Sequence, residues 1–151
     1  MIKVNGKEME FPQFNDGTLR LKYNLVGART TITWLYDGEE EFSRIYYLTR
    51  HLQEALHLQN IVLEVPYLAN ARMDRRKKQE EVFTLKYFCE FINSLNYSQV
   101  RVFDPHSHVC EALLNNLEVK SPRPLMQDLI FKYKDAIVGA VDQGGEKRYC
   151  R

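Results

Sequence analysis

A cluster of basic side chains follows a short apolar segment near the middle of the chain. The segment IVLEV at 61–65 stops at Pro66, and positions 72–78 then hold five basic residues and one acid. Arg72 and Arg75 offer planar guanidinium groups, which suit phosphate oxygens and stack on a base. Because a charge run is usually only a solvated surface, its position in the fold decides whether it indicates a site.

Two further polar clusters follow apolar segments in the same manner. Asp104 and His106 come directly after VRVF, and Asp142 comes after AIVGAV and before two glycines. At strand spacing, Asp104 and His106 would point to the same side, where His106 can ligate a divalent metal or its bound water and Asp104 can orient it. The Asp142 carboxylate suits Mg²⁺, and the glycines leave room for a phosphate near the backbone. These groups indicate a magnesium–nucleotide site, with a loop histidine hydrogen-bonded to backbone as the alternative for His106.

Alternating strands and helices must position these clusters. Strands are predicted at IKV, LRLKYNLV, TTITWLY, 60–65, 100–103 and 136–141, and helices at 39–56, 82–95, 109–117 and 125–133, with SPRP at 121–124 as a linker. The alternation predicts an α/β fold with a mostly parallel sheet flanked by helices. Since ligands bind beyond the carboxyl ends of strands in such a sheet, the three clusters are expected to form one site.

Composition and missing motifs exclude several classes of protein. The 151 residues are 44% hydrophobic and 27% charged, and the formal net charge of +1 is not the basic excess of a general nucleic-acid binder. No apolar run approaches the ~20 residues that cross a bilayer, and the N-terminus lacks the apolar region of a secretory signal. The three cysteines, Cys89, Cys110 and Cys150, are odd in number and widely spaced, which favours reduced thiols and a cytoplasmic location. P-loop, dinucleotide-binding and nucleophile-elbow motifs are absent.

Four motifs resemble, in the right order, those of the ribose-phosphate pyrophosphokinases, also called phosphoribosyl pyrophosphate synthetases. PYLANARMDR at 66–75 and DPHS at 104–107 resemble the family's P-Y-x-x-x-A-R-x-D-R and D-x-H-(S/A) signatures. FNDG at 14–17 resembles its nucleotide-contacting F-x-D-G-E turn, and VDQGGEKR at 141–148 resembles its D-x-G-G-x-x-R segment. The motifs spread over almost the whole chain.

This resemblance implies a fold, a reaction and an assembly. The fold would be a type I phosphoribosyltransferase-like N-terminal domain at 1–124, followed at 125–151 by the start of a second, truncated domain of the same type. Family members transfer the β,γ-diphosphoryl group of ATP to the 1-hydroxyl of ribose 5-phosphate with Mg²⁺, giving phosphoribosyl pyrophosphate and AMP. They form dimers and usually hexamers, so a homo-oligomer is expected, without a nucleic-acid or membrane partner.

The FNDG turn would contribute to a neighbouring subunit's nucleotide site. By the resemblance, Asp16, Gly17 and Thr18 fall where this turn contacts the adenosine part of ATP, and Phe14 would lie near the adenine. Thr18 stands where the family usually has Glu, so one nucleotide contact is expected to differ.

The remaining site residues lie in the clusters after the strands. Arg72, Met73 and Arg75 are expected to bind ATP, with Met73 standing where the family often has Gln. His106 and Asp142 fall at the metal-binding positions, and His106 is also the candidate catalytic residue.

The resemblance covers roughly half of a family protein, which bears on activity. The acidic loop that binds ribose phosphate and the basic catalytic flap are missing from the 151 residues. The isolated chain is therefore expected to be inactive as a pyrophosphokinase. The alternative is a non-catalytic nucleotide-binding or synthetase-associated interaction module, and nucleic-acid binding through 72–78 is a weaker third hypothesis.

Overall fold

The computed structural model describes residues 1–23 and 29–133, together with 137 and 139. Contacts divide the chain into two compact units, Met1–Lys120 and Ser121–Arg151. The predicted second domain at 125–151 includes residues outside the described ranges, so the domain division stays a prediction. No helix in those ranges is long and apolar enough to cross a membrane.

Six strands of the first unit form one mixed sheet. They are β1 (Ile2–Val4), β2 (Lys7–Glu8), β3 (Thr30–Trp34), β4 (Ile61–Val65), β5 (Gln99–Phe103) and β6 (Leu117–Lys120). Their order across the sheet is β2-β1-β3-β4-β5-β6. Strands β3 to β6 are parallel, whereas β1 is antiparallel to both β2 and β3. The prediction of an α/β fold with a mostly parallel sheet is confirmed.

The helices follow the apolar spacing of three and four residues seen in the sequence. They are α1 (Glu41–Glu54), α2 (Thr84–Ser94), α3 (Val109–Leu113) and, in the second unit, α4 (Arg123–Lys132). Helix α1 buries Ile45, Leu48 and Leu52 on one face, as an amphipathic helix does against a sheet. On β3, the ring of Trp34 lies 5.5 Å from that of Phe88 in α2, which joins the sheet to this helix.

The register between β4 and β5 sets where the following loops begin. Leu63 pairs with Val100, and Val65, the last residue of β4, pairs with Val102, one residue before the end of β5. All four side chains are buried in the core. A slip of one residue would turn these side chains to the opposite face, so burial fixes the register. The β4–α2 and β5–α3 loops therefore start side by side.

Glu41 is a buried carboxylate at the start of α1. It accepts hydrogen bonds from the Trp34 indole at 2.8 Å and from the Asp37 N–H at 2.9 Å, and it pairs with the Met1 ammonium. Burial raises the pKa of Glu41, but the hydrogen bonds from the Met1 ammonium, Trp34 and Asp37 outweigh it and hold the pKa below its usual value. The pair ties the first residue of the chain to the sheet and to α1.

Two cysteines lie in the core and form no disulfide. Cys89 in α2 and Cys110 in α3 are both fully buried. Burial, with smaller contributions from nearby acidic groups, raises the pKa of Cys89 to about 12 and that of Cys110 to about 11. Cys150 lies outside the described residues.

The predicted helix at 109–117 is wrong beyond Leu113. Leu114 adopts an extended conformation with φ −91° and ψ 132°, which ends α3. After a turn at 115–116, Leu117–Lys120 form the parallel strand β6, which the sequence did not predict.

Two other local predictions are also wrong. Within LRLKYNLV, Leu19 makes only an isolated bridge to Gln13, and 20–23 form no strand, while 24–28 lie outside the described residues. SPRP lies where the two compact units divide, but its prolines do not break regular structure as predicted. Pro122 precedes α4 and Pro124 lies in its first turn, where a missing N–H costs no helical hydrogen bond. The predicted strand at 136–141 falls almost entirely outside the described residues.

Candidate functional site

The loops that follow β4 and β5 enclose a cavity of about 260 Å³. It is lined by Ala71, Arg72, Met73, Asp74, Arg75, Lys77, Glu81 and His106. The predicted ATP-binding residues of the β4–α2 loop and the predicted catalytic histidine of the next loop thus lie around one cavity. Their roles in binding and catalysis stay predictions.

Backbone hydrogen bonds fix the first part of the β4–α2 loop. Asn70 adopts a left-handed φ of 62°, and the Met73 N–H donates to the Asn70 carbonyl at 2.9 Å. The Met73 carbonyl accepts from the Leu85 N–H at 3.3 Å, which ties this turn to α2. Because Ala71 is buried, the turn is held against the core while Arg72 and Met73 stay exposed.

Glu81 organises the basic part of the same loop. Its carboxylate accepts from the backbone N–H groups of Lys77 at 2.8 Å and Lys78 at 3.3 Å. This arrangement brings Lys77 to the cavity wall, whereas Arg76 and Lys78 do not line it. The sequence analysis missed Glu81. The signal for it is an acid placed three and four residues after two lysines, just before a helix.

Asp74 pairs with its neighbour Arg75 in the β4–α2 loop. Its carboxylate accepts from Arg75 Nε at 2.8 Å and Nη2 at 3.3 Å. Hydrogen bonding from the Arg75 guanidinium is the largest cause that holds the pKa of Asp74 below its usual value, and Ser107 is the second. In return, Asp74 raises the pKa of Arg75. The sequence analysis assigned no role to either Asp74 or Ser107.

The strand spacing assumed for Asp104 and His106 in the sequence analysis does not apply to them. Strand β5 ends at Phe103, and Asp104 adopts a left-handed φ of 42°. The Asp104 N–H donates to the Lys120 carbonyl of β6 at 3.0 Å, which holds this turn in place. Pro105 is then buried, and His106 reaches the cavity from the loop rather than from the strand.

The FNDG turn is well formed but does not line the cavity. Gly17 has a φ of 83°, a conformation that favours glycine, and its N–H donates to the Phe14 carbonyl at 2.9 Å. Thr18 donates to Asp16 Oδ1 through its N–H at 2.9 Å and its hydroxyl at 2.7 Å, and these bonds hold the pKa of Asp16 below its usual value. Phe14 is 54% exposed. Thr18, which departs from the family pattern, therefore closes the turn locally.

A magnesium site is not complete in the part of the chain that the structure describes. There, no group of three or more His, Cys, Asp or Glu side chains is placed to hold a metal ion. His106 lies at the cavity, but its predicted fellow ligand Asp142 lies outside the described residues. Mg²⁺ carried by a nucleotide keeps several waters and takes phosphate oxygens plus one or two carboxylates. A magnesium ion at this cavity would therefore take most of its ligands from the phosphates of a bound nucleotide and from water.

Comparison with known proteins identifies the fold. No known family model matches the chain, and no curated protein matches it. A solved structure, phosphoribosylpyrophosphate synthetase from Mycobacterium smegmatis, matches with a TM-score of 0.69 and 12% sequence identity. The match covers 83% of this chain and 44% of that enzyme.

The fold resembles that of a phosphoribosylpyrophosphate synthetase domain. At this level of identity, the likeness concerns the fold alone. This chain spans less than half the length of the enzyme, so a shared activity, substrate or assembly is a matter for proposal.

Proposed function

We propose that the cavity between the β4–α2 and β5–α3 loops binds the triphosphate of Mg-ATP, as the nucleotide half of a ribose-phosphate pyrophosphokinase. The observation that carries this proposal is the placement of Arg72, Arg75 and Lys77 around the same cavity as His106, beyond the carboxyl ends of two adjacent parallel strands. Phosphoryl transfer depends mainly on positioning and on neutralising phosphate charge, which these side chains are suited to do.

The charges at the cavity fit a polyphosphate. Three cationic side chains, those of Arg72, Arg75 and Lys77, line it against two acidic ones, Asp74 and Glu81. Both acidic side chains already accept hydrogen bonds within the β4–α2 loop, so neither carboxylate is an unpaired negative charge facing an incoming anion. The cavity of about 260 Å³ is just below the range of roughly 300–1,000 Å³ usual for drug-sized ligands, so it suits a phosphate chain rather than two whole substrates.

In the complete reaction, the 1-hydroxyl oxygen of ribose 5-phosphate would bond to the β-phosphorus of ATP. The bond from that phosphorus to the oxygen bridging the α- and β-phosphates would break, AMP would leave with that oxygen, and the hydroxyl proton would pass to solvent or a base. Mg²⁺ bound to the phosphates would supply charge neutralisation. His106 is our candidate to contact the transferring group, since it lines the same cavity as the two arginines.

Titration calorimetry of Mg-ATP against the 151-residue chain tests the binding site. We expect Arg72→Ala to weaken binding by about 1.5–3 kcal/mol, because it removes a charge-assisted hydrogen bond to phosphate. Arg76→Ala is the matched control: it removes the same charge from the same loop, but Arg76 does not line the cavity. No binding by the unchanged chain, or equal losses in the two variants, would refute the proposal.

We further propose that the isolated chain does not complete the reaction. The described cavity accounts for the ATP side only, and the loss of a positioned second substrate removes roughly 7–11 kcal/mol of barrier lowering. Release of AMP from ATP, Mg²⁺ and ribose 5-phosphate should therefore stay at the level of a protein-free control. Sustained AMP formation that depends on ribose 5-phosphate would show that this chain holds both substrates.

A second function, as an interaction module, is favoured by helix α4. None of its described residues is buried, and its exposed apolar side chains include Leu129, Ile130 and Phe131, the last 74% exposed. Contiguous exposed apolar residues on a helix are typical of protein contacts. Sedimentation velocity of the unchanged chain and of a Leu129→Glu, Phe131→Glu variant tests this function. Self-association, or association with a complete synthetase, that the variant loses would support it; a strictly monomeric chain that ignores a synthetase would not.

A further inference from the structure

The sheet has a second face, which the three crossover helices do not cover. Strands β3, β4, β5 and β6 are parallel and lie side by side in chain order, and α1, α2 and α3 connect them in turn. Because such connections are right-handed, three that advance in the same direction place their helices on the same face of the sheet. Leu63 and Val100 point to that face and are buried in the core. Successive side chains alternate along a strand, so Glu64 and Arg101 point to the opposite face.

A row of polar side chains crosses the opposite face at one level of the register. Thr33 pairs with Glu64, and Arg101 pairs with Glu64 on one side and Glu118 on the other. The Thr33 hydroxyl donates to Glu64 Oε2 at 3.2 Å. Arg101 donates from Nη1 to Glu64 Oε1 at 3.0 Å and from Nε to Glu118 Oε2 at 2.8 Å. Two carboxylates thus orient the Arg101 guanidinium, and three of its five N–H donors lie outside these pairs.

A second cavity, of about 390 Å³, lies at the carboxyl ends of β4, β5 and β6, and we call it the sheet-face cavity. Glu64 and Arg101 of the polar row line it, together with Pro66, Phe103 and Lys120 nearer the strand ends. Its volume is within the range of roughly 300–1,000 Å³ usual for small-molecule sites. None of its lining residues belongs to the cavity beside Arg72, so the two are separate.

Two cations and an exposed aromatic ring meet in the sheet-face cavity. Glu64 is the one acidic side chain among its described lining, and both oxygens of this carboxylate already accept hydrogen bonds. Lys120 Nζ donates to the same Glu118 carboxylate as Arg101, and the Lys120 side chain is 51% exposed. Its ammonium therefore keeps donors for a further acceptor. Phe103 is 38% exposed, although apolar side chains of parallel strands are usually covered on both faces of the sheet.

We propose that the sheet-face cavity binds a small organic anion, whose acidic group bonds to Arg101 and Lys120 and whose flat apolar part packs on Phe103 and Pro66. Carboxylate, sulfonate and phosphate groups are the acceptors that paired cationic donors suit, and an aromatic face suits a planar ring. The competing interpretation is a solvated sheet face, in which the charges only pair with one another and no ligand binds. The inference does not depend on the proposed function of the cavity beside Arg72.

Titration of the 151-residue chain with naphthalene-1-sulfonate, followed by backbone ¹H–¹⁵N spectra, tests this site. Naphthalene-1-sulfonamide carries the same rings without the charge and is the control ligand. We expect the sulfonate to bind about tenfold more tightly, because only its charge makes charge-assisted hydrogen bonds to the two cations. The signals of Phe103 and Lys120 should shift most. Absence of sulfonate binding, or equal affinity for the two ligands, would overturn the proposal.

Variants of the two recognition elements locate the bound ligand. Lys120→Gln and Phe103→Ala should each weaken sulfonate binding about five- to tenfold, since one removes a charged donor and the other an apolar surface. Lys86→Gln and Tyr87→Ala are the matched controls, because Lys86 is an exposed lysine paired with a glutamate, Tyr87 is an exposed aromatic residue, and neither lines the cavity. Equal losses in all four variants, or no loss in either of the first two, would overturn the proposal.

Two further variants separate this site from the other surfaces of the chain. Arg72→Ala alters the other cavity, and the Leu129→Glu, Phe131→Glu variant removes exposed apolar side chains of α4. Both should bind the sulfonate as the unchanged chain does. Loss of sulfonate binding in either variant would assign the ligand to that surface and overturn the proposal. If the sulfonate binds as expected but Mg-ATP does not bind at all, the proposed function fails while this inference stands.

Discussion

Glu41 and Asp74 are both hydrogen-bonded carboxylates with a cation among their partners, yet they lie in different environments. Glu41 is in the core, with its side chain 3% exposed, and bonds an indole, a backbone N–H and the Met1 ammonium. Asp74 is at a surface cavity beside a guanidinium that is mostly in water. In both, the folded protein lowers the carboxylate pKa. From this difference we expect the Glu41 cluster to stabilise the fold and the Asp74 pair to hold a cationic side chain at the cavity.

The largest expected effect is on the stability of a chain without the Glu41 carboxylate. Glu41→Ala leaves the Trp34 indole and the Met1 ammonium without an acceptor, and we expect it to lower the free energy of unfolding by about 3 kcal/mol. Urea unfolding followed by tryptophan fluorescence measures this loss. Glu40→Ala is the control, since the Glu40 side chain is 63% exposed and its distant pair with Arg44 should contribute less than about 0.5 kcal/mol. Similar losses in the two variants would remove the distinction based on burial.

A smaller effect is expected from pH. Because folding lowers the Glu41 pKa, the carboxylate stabilises the fold fully above the pKa of an unfolded glutamate, and this contribution is lost as pH falls through the lower folded-state value. Glu41→Gln keeps an oxygen for Trp34 and Asp37 but removes the charge that pairs with Met1. The stability gap between the unchanged chain and Glu41→Gln should therefore shrink on acidification, as urea midpoints at a series of pH values would show. A gap that is constant down to acid pH would mean that the ion pair does not stabilise the fold.

The smallest expected effect is the change in stability on altering Asp74. Asp74→Asn keeps an acceptor oxygen for Arg75 and weakens an ion pair whose guanidinium is mostly in water, so the free energy of unfolding should change by less than about 0.5 kcal/mol. The same variant should change the affinity for polyphosphate, because Asp74 is the partner of Arg75 at the cavity. Changes at Asp74 would then alter ligand binding, whereas changes at Glu41 would alter stability. A loss as large as that of Glu41→Ala would place Asp74 among the residues that hold the fold together.

The central strands and the first two helices could be predicted because local pattern and tertiary packing agree. Ile61, Leu63 and Val65 form an apolar run that the core buries, and Ile45 and Leu48 recur at helical spacing. The rule that ligands bind beyond the carboxyl ends of parallel strands then predicts that Arg72 and His106 lie near each other, as the cavity shows. The chemistry assigned to these residues is not tested by their proximity.

Strand β6 could not be predicted because its sequence carries no clear strand pattern. The leucines of LLNNLEVK continue the helical spacing that begins at Val109, and Val119 is 42% exposed, so no buried alternation marks the strand. What decides is tertiary: β6 pairs in parallel with β5, with Val102 opposite Val119. Asn116, at a left-handed φ of 52°, makes the turn into it.

The error over β6 also explains the error at Asp104. The Asp104 N–H bonds to the carbonyl of Lys120, the last residue of that strand, so the turn at Asp104 depends on a partner that the sequence did not predict. Local sequence patterns contain no information on such contacts. The elements were therefore more predictable than the detailed geometry of the cavity that they carry.

The buried thiol of Cys89 allows the opening of helix α2 to be measured as a rate. Only a thiolate reacts with an alkylating reagent, and with a pKa of about 12 only about one thiol in 10⁴ is ionised at pH 8, even before burial excludes the reagent. Alkylation of Cys89 must therefore wait for α2 to open. In a Cys150→Ser chain, the rate of labelling at Cys89 would report how often that opening occurs. The Leu85 N–H of α2 donates to the Met73 carbonyl at the cavity. A ligand that binds the β4–α2 loop should therefore slow the labelling of Cys89.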